Sequence, residues 1–268
     1  LQIECRGDSI VKLDTGKKRI SPIGQKETHK FLSALNDFYR TSRFNDFFNT
    51  HTDIYELGLQ VFNDSVMAHF DQEWYTRFYG TPPAEQFRII IGFTNGPCNY
   101  GPSRKLTGQP KEVFAIMNYA VDDNERPIFY KKVVETVVHE FCHSFTKIKG
   151  DTEKALEKSG KALQEYTYFS MRRQAYSTWR NILEESLVRA ATICYLIDHN
   201  YDEKDIRNAI IEQVDRNFFW MPELVQTLRY YESHRKKYPT FTSFYPEIIR
   251  FFDRYVTNME KEMKKAMK

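Results

Sequence analysis

The 268-residue chain reads as an α+β protein that is mainly helical. Three observations carry this expectation. Apolar residues recur at helical spacing through most of 152–264. Two short runs, FRIIIGF at 87–93 and EVFAIMNYAV at 112–121, have the branched and aromatic character of buried strands. No repeat, low-complexity tract or long linker divides the chain, so a single domain over 1–268 is expected. Its helical N-terminal part covers about 26–80. A small sheet and one helix follow over about 86–149, then a helical half over about 150–268.

In order along the chain, IVKL at 10–13 has strand character. Residues 26–51 read as one or two amphipathic helices, and a helical pattern over about 53–79 stops at Gly80, with Pro82 and Pro83 beyond it. The two strands come next. Asp122, Asp123 and Asn124 supply turn chemistry, and Pro127 leads into IFYKKVVETVVHEFCHSF. There Val133, Val134, Val137, Val138, Phe141 and Phe145 make a helix that is apolar on more than one side and so should be buried. Five further helices are expected at about 152–170, 173–198, 203–217, 222–236 and 243–264.

Composition narrows the functional classes. Aromatic residues make up 15% of the chain, which fits a packed globule rather than a disordered segment. The net charge is +3 with both signs interleaved, so no nucleic-acid surface is expected. No run approaches 18 consecutive apolar residues, so no transmembrane helix is expected. The basic C-terminal KEMKKAMK reads as a solvated helix end. The chain opens at Leu1 rather than Met, which we read as a removed leader and hence as export to the periplasm, surface or medium. Cys5, Cys98, Cys142 and Cys194 form no CxxC pair; free, mostly buried thiols are expected, with room for one disulfide in an exported protein.

The chemistry concentrates in His139-Glu140-Phe141-Cys142-His143. On a helix, residues i and i+4 stand one above the other, so His139 and His143 can offer two imidazoles to one metal ion. Glu140 lies at the edge of that face as a general base. This is the HExxH arrangement of zinc hydrolases. Two imidazoles and a carboxylate in a buried helix are costly unless something satisfies them, and one zinc ion would do so. Strands, then an HExxH helix, then a helical half is the plan of zincin-like metalloproteases, with the active-site cleft between the two parts. Four further histidines, His51, His69, His199 and His234, lack ligand spacing.

A catalytic zinc takes three protein ligands and keeps one position open. The long metzincin signature is excluded, because Thr146 and Lys149 stand where it needs Gly and His. The remaining common choice is a carboxylate from a later helix. In WRNILEESLVRAATICYLI, 179–197, Glu184 and Glu185 are the acidic residues of a nearly apolar helix. Glu185 also shares a face with Arg189, so an i, i+4 ion pair competes with the ligand reading. Spacing leaves the choice of glutamate open. Tyr176, nine residues before Glu185, and Arg189 are the candidate donors to a developing oxyanion. If strand 112–121 is an edge strand, it can pair with an extended substrate, and Met117, Asn118 and Tyr119 line the cleft as substrate-binding residues.

At HEFCHSF (139–145), AYSTWRNILEESLVRA (175–190), NGPCNYG (95–101) and YESHRKKYPTFTSFYPEI (231–248) the chain resembles an uncharacterised bacterial family of HExxH zinc metallopeptidases. That family is gluzincin-like, common in gut bacteria and classed as a domain of unknown function. The resemblance covers most of the chain, and only the HExxH string is mechanistically specific. It implies Glu185 as the third ligand, with Glu184 as the alternative. Gluzincins often carry Asp four residues after that glutamate to orient a zinc-bound histidine. Arg189 stands there instead and cannot accept a hydrogen bond, so the histidine's partner must come from elsewhere. The expected activity is hydrolysis of peptide or protein substrates through one zinc-activated water, with Glu140 as base. The alternative is a zincin-fold binding or scaffold protein without turnover.

Overall fold

A computed structural model describes residues 3–7, 9–13, 24–94, 96 and 99–267. It is α+β and mainly helical, with three small sheets. The chain divides into two compact units, Leu1–His69 with Ala84–Val133, and Phe70–Pro83 with Val134–Lys268.

In the first unit, β1 (Ile3–Arg6) and β2 (Ser9–Lys12) form an antiparallel hairpin, β2 overlapping the expected IVKL segment at Ile10–Lys12. Helix α1 (Gly24–Thr41) clasps it through Asn36, which accepts from the Ile10 N–H at 2.7 Å and donates to the Ile10 carbonyl at 2.8 Å. One side chain amide thus does the work of a neighbouring strand. The next helix, α2 (Phe44–Thr50), is separate because Arg43 takes a left-handed conformation at φ 51°.

The expected helix over 53–79 is broken. Helix α3 (Thr52–Ser65) ends in a 3₁₀ turn at Met67–His69, and α4 (Glu73–Tyr79) starts afresh in the second unit. Asp71 starts the new helix by accepting from the Trp74 N–H at 3.2 Å, while its own N–H donates to the Tyr195 hydroxyl at 2.8 Å. A partner 124 residues away thus helps set the break. The stop at Gly80 is where the sequence places it, with φ at 74°.

The central sheet of the first unit has the order β3-β5-β4, from β3 (Gln86–Ile91), β4 (Ser103–Lys105) and β5 (Lys111–Met117). Strand β5 runs parallel to β3 and antiparallel to β4. This corrects two expectations about 112–121. The strand ends at Met117, and it lies in the middle of its sheet with pairs on both sides. Its main chain is not free to take an extended substrate, so the basis for Asn118 and Tyr119 as substrate-binding residues falls. The Asn118 N–H bonds the Asn99 side chain at 2.9 Å, and the Tyr119 ring packs 4.8 Å from that of Phe93. Beyond them β6 (Ala120–Val121) and β7 (Pro127–Ile128) form a hairpin. Asp122 closes it, its carboxylate accepting from the N–H groups of Asn124 and Arg126.

The second unit is helical: α4, then α5 (Lys132–Cys142, entering from the first unit), α6 (Asp151–Tyr166), α7 (Tyr168–Arg173), α8 (Trp179–Asp198), α9 (Glu203–Asp215), α10 (Met221–Ser233) and α11 (Phe241–Ala266). Helix α8 is its axis, buried almost continuously from Ile182 to Leu196 and packed on α6, α9 and α10. It starts at Trp179 rather than at 173, because Thr178 caps it by accepting from the Asn181 N–H. Gly160 of α6 admits the Trp179 ring so closely that an added Cβ would lie 2.5 Å from it. In α4, Trp74, Tyr75, Phe78 and Tyr79 are buried, and the Trp74 indole donates to Asp198 at 2.8 Å. Cys142 and Cys194 are free and buried, as expected, while Cys5 is exposed; Cys98 lies outside the described residues. Among the described residues no helix is long and apolar enough to cross a membrane.

One cluster in this unit is sensitive to pH. Arg229 Nη1 lies 2.5 Å from both Asp198 and Glu232. Burial, and then the shared position with Asp198, push the Glu232 carboxyl up to about 8. The folded state therefore holds this proton where the unfolded chain, at about 4.3, releases it. Stability falls as pH rises through that window and levels off above it. The urea midpoint of the wild type is expected to drop between about pH 5 and about pH 9, with a flatter profile in Glu232→Gln.

Candidate metal centre

The last turns of α5 and the first half of α8 build the site. The apolar face of α5 fixes the helix in the core, with Val134, Val137, Val138, Phe141 and Cys142 all at 1% exposure or less. The Tyr75 hydroxyl donates to the Val138 carbonyl at 3.2 Å. The helix ends at Cys142, and its exit tightens into i to i+3 bonds, Ser144 N–H to the Phe141 carbonyl and Phe145 N–H to the Cys142 carbonyl. His143 sits just past this end. The His139 and His143 rings remain neighbours, with centroids 5.0 Å apart and planes near perpendicular.

Both imidazoles face Glu185. His139 Nε2 lies 3.3 Å from Glu185 Oε1, and His143 Nε2 lies 3.6 Å from Oε2. The candidate ligand atoms of His139, His143 and Glu185 all fall within 4.8 Å of one another, the spacing of a metal-binding triad. Among the described residues the group stops at these three.

Of the two glutamates that spacing leaves open, Glu185 is the one that stands beside the histidines. Glu184 is occupied elsewhere: it accepts from the Ile148 N–H at 2.8 Å and pairs with Lys147 at 3.2 Å, holding the segment that follows the motif. Consecutive residues on a helix point about 100° apart, so one glutamate of the pair faces the histidines and the other faces the loop.

The ion pair and the triad coexist at Glu185. Arg189 Nη2 lies 2.7 Å from Glu185 Oε1, the oxygen that also faces His139, and donates to the Tyr176 hydroxyl at 3.1 Å. Arg189 Nη1 donates to Gln213 Oε1, and the guanidinium stands 5.1 Å from the Phe218 ring centroid. Sequence reasoning reached Tyr176 and Arg189 but missed Gln213 and Phe218. Gln213 is a buried amide in α9, 24 residues beyond Arg189, with no local pattern to mark it.

The electrostatics follow from burial and these pairs. Burial works against a charge on Glu185, but His139, Arg189 and His143 outweigh it and hold the carboxyl well below the usual range. Burial pushes His143 down to about 4, so at neutral pH it is the uncharged imidazole that metals bind. Burial also raises Glu140, helped by the nearby charge of Glu185. Tyr176 is pushed up to about 12 by burial and then by the charge of Glu185, which keeps its proton in place.

No curated protein and no solved structure matches the chain. The model of the family described as Domain of unknown function (DUF4932) matches residues 3–251, and the chain belongs to that family.

Proposed function

We propose that the protein is a zinc-dependent peptidase with a zincin-like active site. The observation that carries this reading is the convergence of His139, His143 and Glu185 with Glu140 as the neighbour of a ligand on the same helix. The donor set fits zinc in kind, two imidazole nitrogens and one carboxylate. His139 Nε2 stands 3.3 Å from Glu185 Oε1 and His143 Nε2 3.6 Å from Oε2, and one ligand atom from each residue falls within 4.8 Å of the others. Three protein ligands leave a position for water or substrate, whereas a purely structural zinc needs four.

Zinc held there supplies an acidified water and polarises the carbonyl to be attacked. The remaining work belongs to the chain. Glu140 takes the proton of the attacking water and delivers it to the leaving amine. Tyr176, protonated and oriented by Arg189, is the candidate hydroxyl to donate to a developing oxyanion. Arg189 holds the Glu185 carboxylate ionised and in place.

The test is a broad peptide-library digest with zinc-loaded wild type and Glu140→Gln. The wild type should cleave, and the variant should retain zinc while losing about 10²–10⁴ in rate. Full activity in the variant removes Glu140 from the mechanism. Bound zinc with no cleavage by the wild type points instead to a zincin-fold scaffold.

A further inference from the structure

A cavity of about 300 Å³ opens between α7 and the segment that leads into α8, lined by Gln164, Tyr168, Met171, Arg172, Tyr176 and Ser177. Tyr176 ties it to the metal centre. Its side chain walls the cavity, while its hydroxyl meets Arg189, which in turn grips Glu185. Along that path Tyr176 and Arg189 stand between the cavity and the ligand Glu185.

Its lining has a definite chemistry. Met171 is fully buried. Gln164 Nε2 donates to the Ser177 carbonyl at 2.9 Å and so bridges one wall. Arg172 is the one charged residue of the lining. Arg172 and Tyr168 are both exposed, and the Tyr168 hydroxyl accepts from the guanidinium, which lies 5.8 Å from the Tyr168 ring centroid. Among the described residues Arg172 has no carboxylate partner, unlike Arg180 and Arg189 of α8, which pair with Glu153 and Glu185. A guanidinium with no carboxylate partner, in a lining that also holds Tyr168 and Tyr176, matches a carboxylate.

We propose that this cavity is a specificity subsite that takes an acidic side chain, Glu or Asp, of a peptide substrate near the scissile bond. The proposal rests on the peptidase reading and names the substrate class for the same site. Arg172 is then the residue that sets the preference, and Tyr176 is shared between subsite and metal centre.

The experiment measures binding, so that it stands apart from turnover. Capped, fluorescein-labelled hexapeptides carrying a single Glu, Gln or Lys at each position in turn are titrated by anisotropy against zinc-loaded Glu140→Gln protein. The set is repeated in the Arg172→Gln and Arg172→Glu backgrounds. At one position Glu should bind about tenfold tighter than Gln, the weight of one charge-assisted hydrogen bond. That preference should vanish in Arg172→Gln and turn toward Lys in Arg172→Glu. Equal or absent binding of the Glu and Gln peptides overturns the subsite, and so does a preference that survives in Arg172→Gln. Failure of the peptidase reading shows separately, as absence of cleavage by zinc-loaded wild type of peptides that the subsite nonetheless sorts.

Discussion

Glu185→Ala should lose zinc, and Glu184→Ala should keep it. The two glutamates are adjacent and both buried, yet they serve different masters. Glu185 presents its two oxygens to the two imidazoles, whereas Glu184 holds the Ile148 N–H and the Lys147 ammonium. A complete zinc site of four ligands contributes about 10–16 kcal/mol, so one ligand's share is roughly 3–4 kcal/mol, or about 10²–10³ in affinity. Arg189→Met should fall between the two variants. It leaves all three ligands but frees the Glu185 carboxylate, and loss of such an orienting partner costs about 10–100-fold. Glu184→Ala should instead cost stability, about 1–3 kcal/mol, because it strands the Ile148 N–H. Zinc stoichiometry after dialysis, followed by competition with a chromogenic chelator, separates the three variants. Equal zinc affinity in Glu185→Ala and wild type would dismiss the triad.

The largest effect on stability is expected at Gly80. This residue ends α4 in a left-handed conformation at φ 74°, and it faces the backbone just ahead of α11. A Cβ added there would lie 2.1 Å from the Pro239 carbonyl oxygen and 2.9 Å from the Thr240 Cα. Neither atom belongs to a flexible side chain that could swing away. The left-handed conformation costs a residue with a Cβ about 1–2 kcal/mol, and forcing backbone apart adds about 1–3 kcal/mol. Gly80→Ala should therefore lose about 2–5 kcal/mol, a fall in Tm of roughly 5–15 °C for a chain of this size. Gly108 is the control. It too has a positive φ, at 75°, at the third position of a turn closed by the Gln109 N–H and the Leu106 carbonyl at 3.3 Å, but an added Cβ there meets nothing within 4 Å. Gly108→Ala should show the conformational cost alone, about 1–2 kcal/mol. Thermal unfolding of the pair separates strain from collision; equal shifts would mean that the Pro239 contact carries no weight.

Those two sites also mark how far the sequence can be read. The stop at Gly80 was legible because a C-terminal glycine followed by prolines is a local signal. The HExxH pair was legible because a helix converts a spacing of four into a shared face. Glu184 and Glu185 were not separable by spacing, because both positions are buried and only the distant partner of each tells them apart. Strand 112–121 misled in a similar way. A run of apolar residues reports burial, but whether a strand is central depends on how many neighbours pair with it, and β4 is only three residues long. The break at 66–72 is hidden for a further reason. Phe70 and the aromatics of α4 continue the apolar pattern, while Asp71 is drawn out of the helix by Tyr195 far along the chain. In each case the missing information is tertiary.

The interleaving of the two units carries a consequence in time. The chain passes from one unit to the other three times, and α4 is made long before the helices that house it. Phe78 and the arginine that bonds its carbonyl, Arg235, are 157 residues apart. At about 5–20 residues per second, the aromatic face of Trp74, Tyr75, Phe78 and Tyr79 waits on the order of ten seconds or more on the ribosome before its partners exist. A nascent chain of this kind exposes its stickiest surface during synthesis, and its late, long-range closure slows folding relative to a bundle of neighbouring helices.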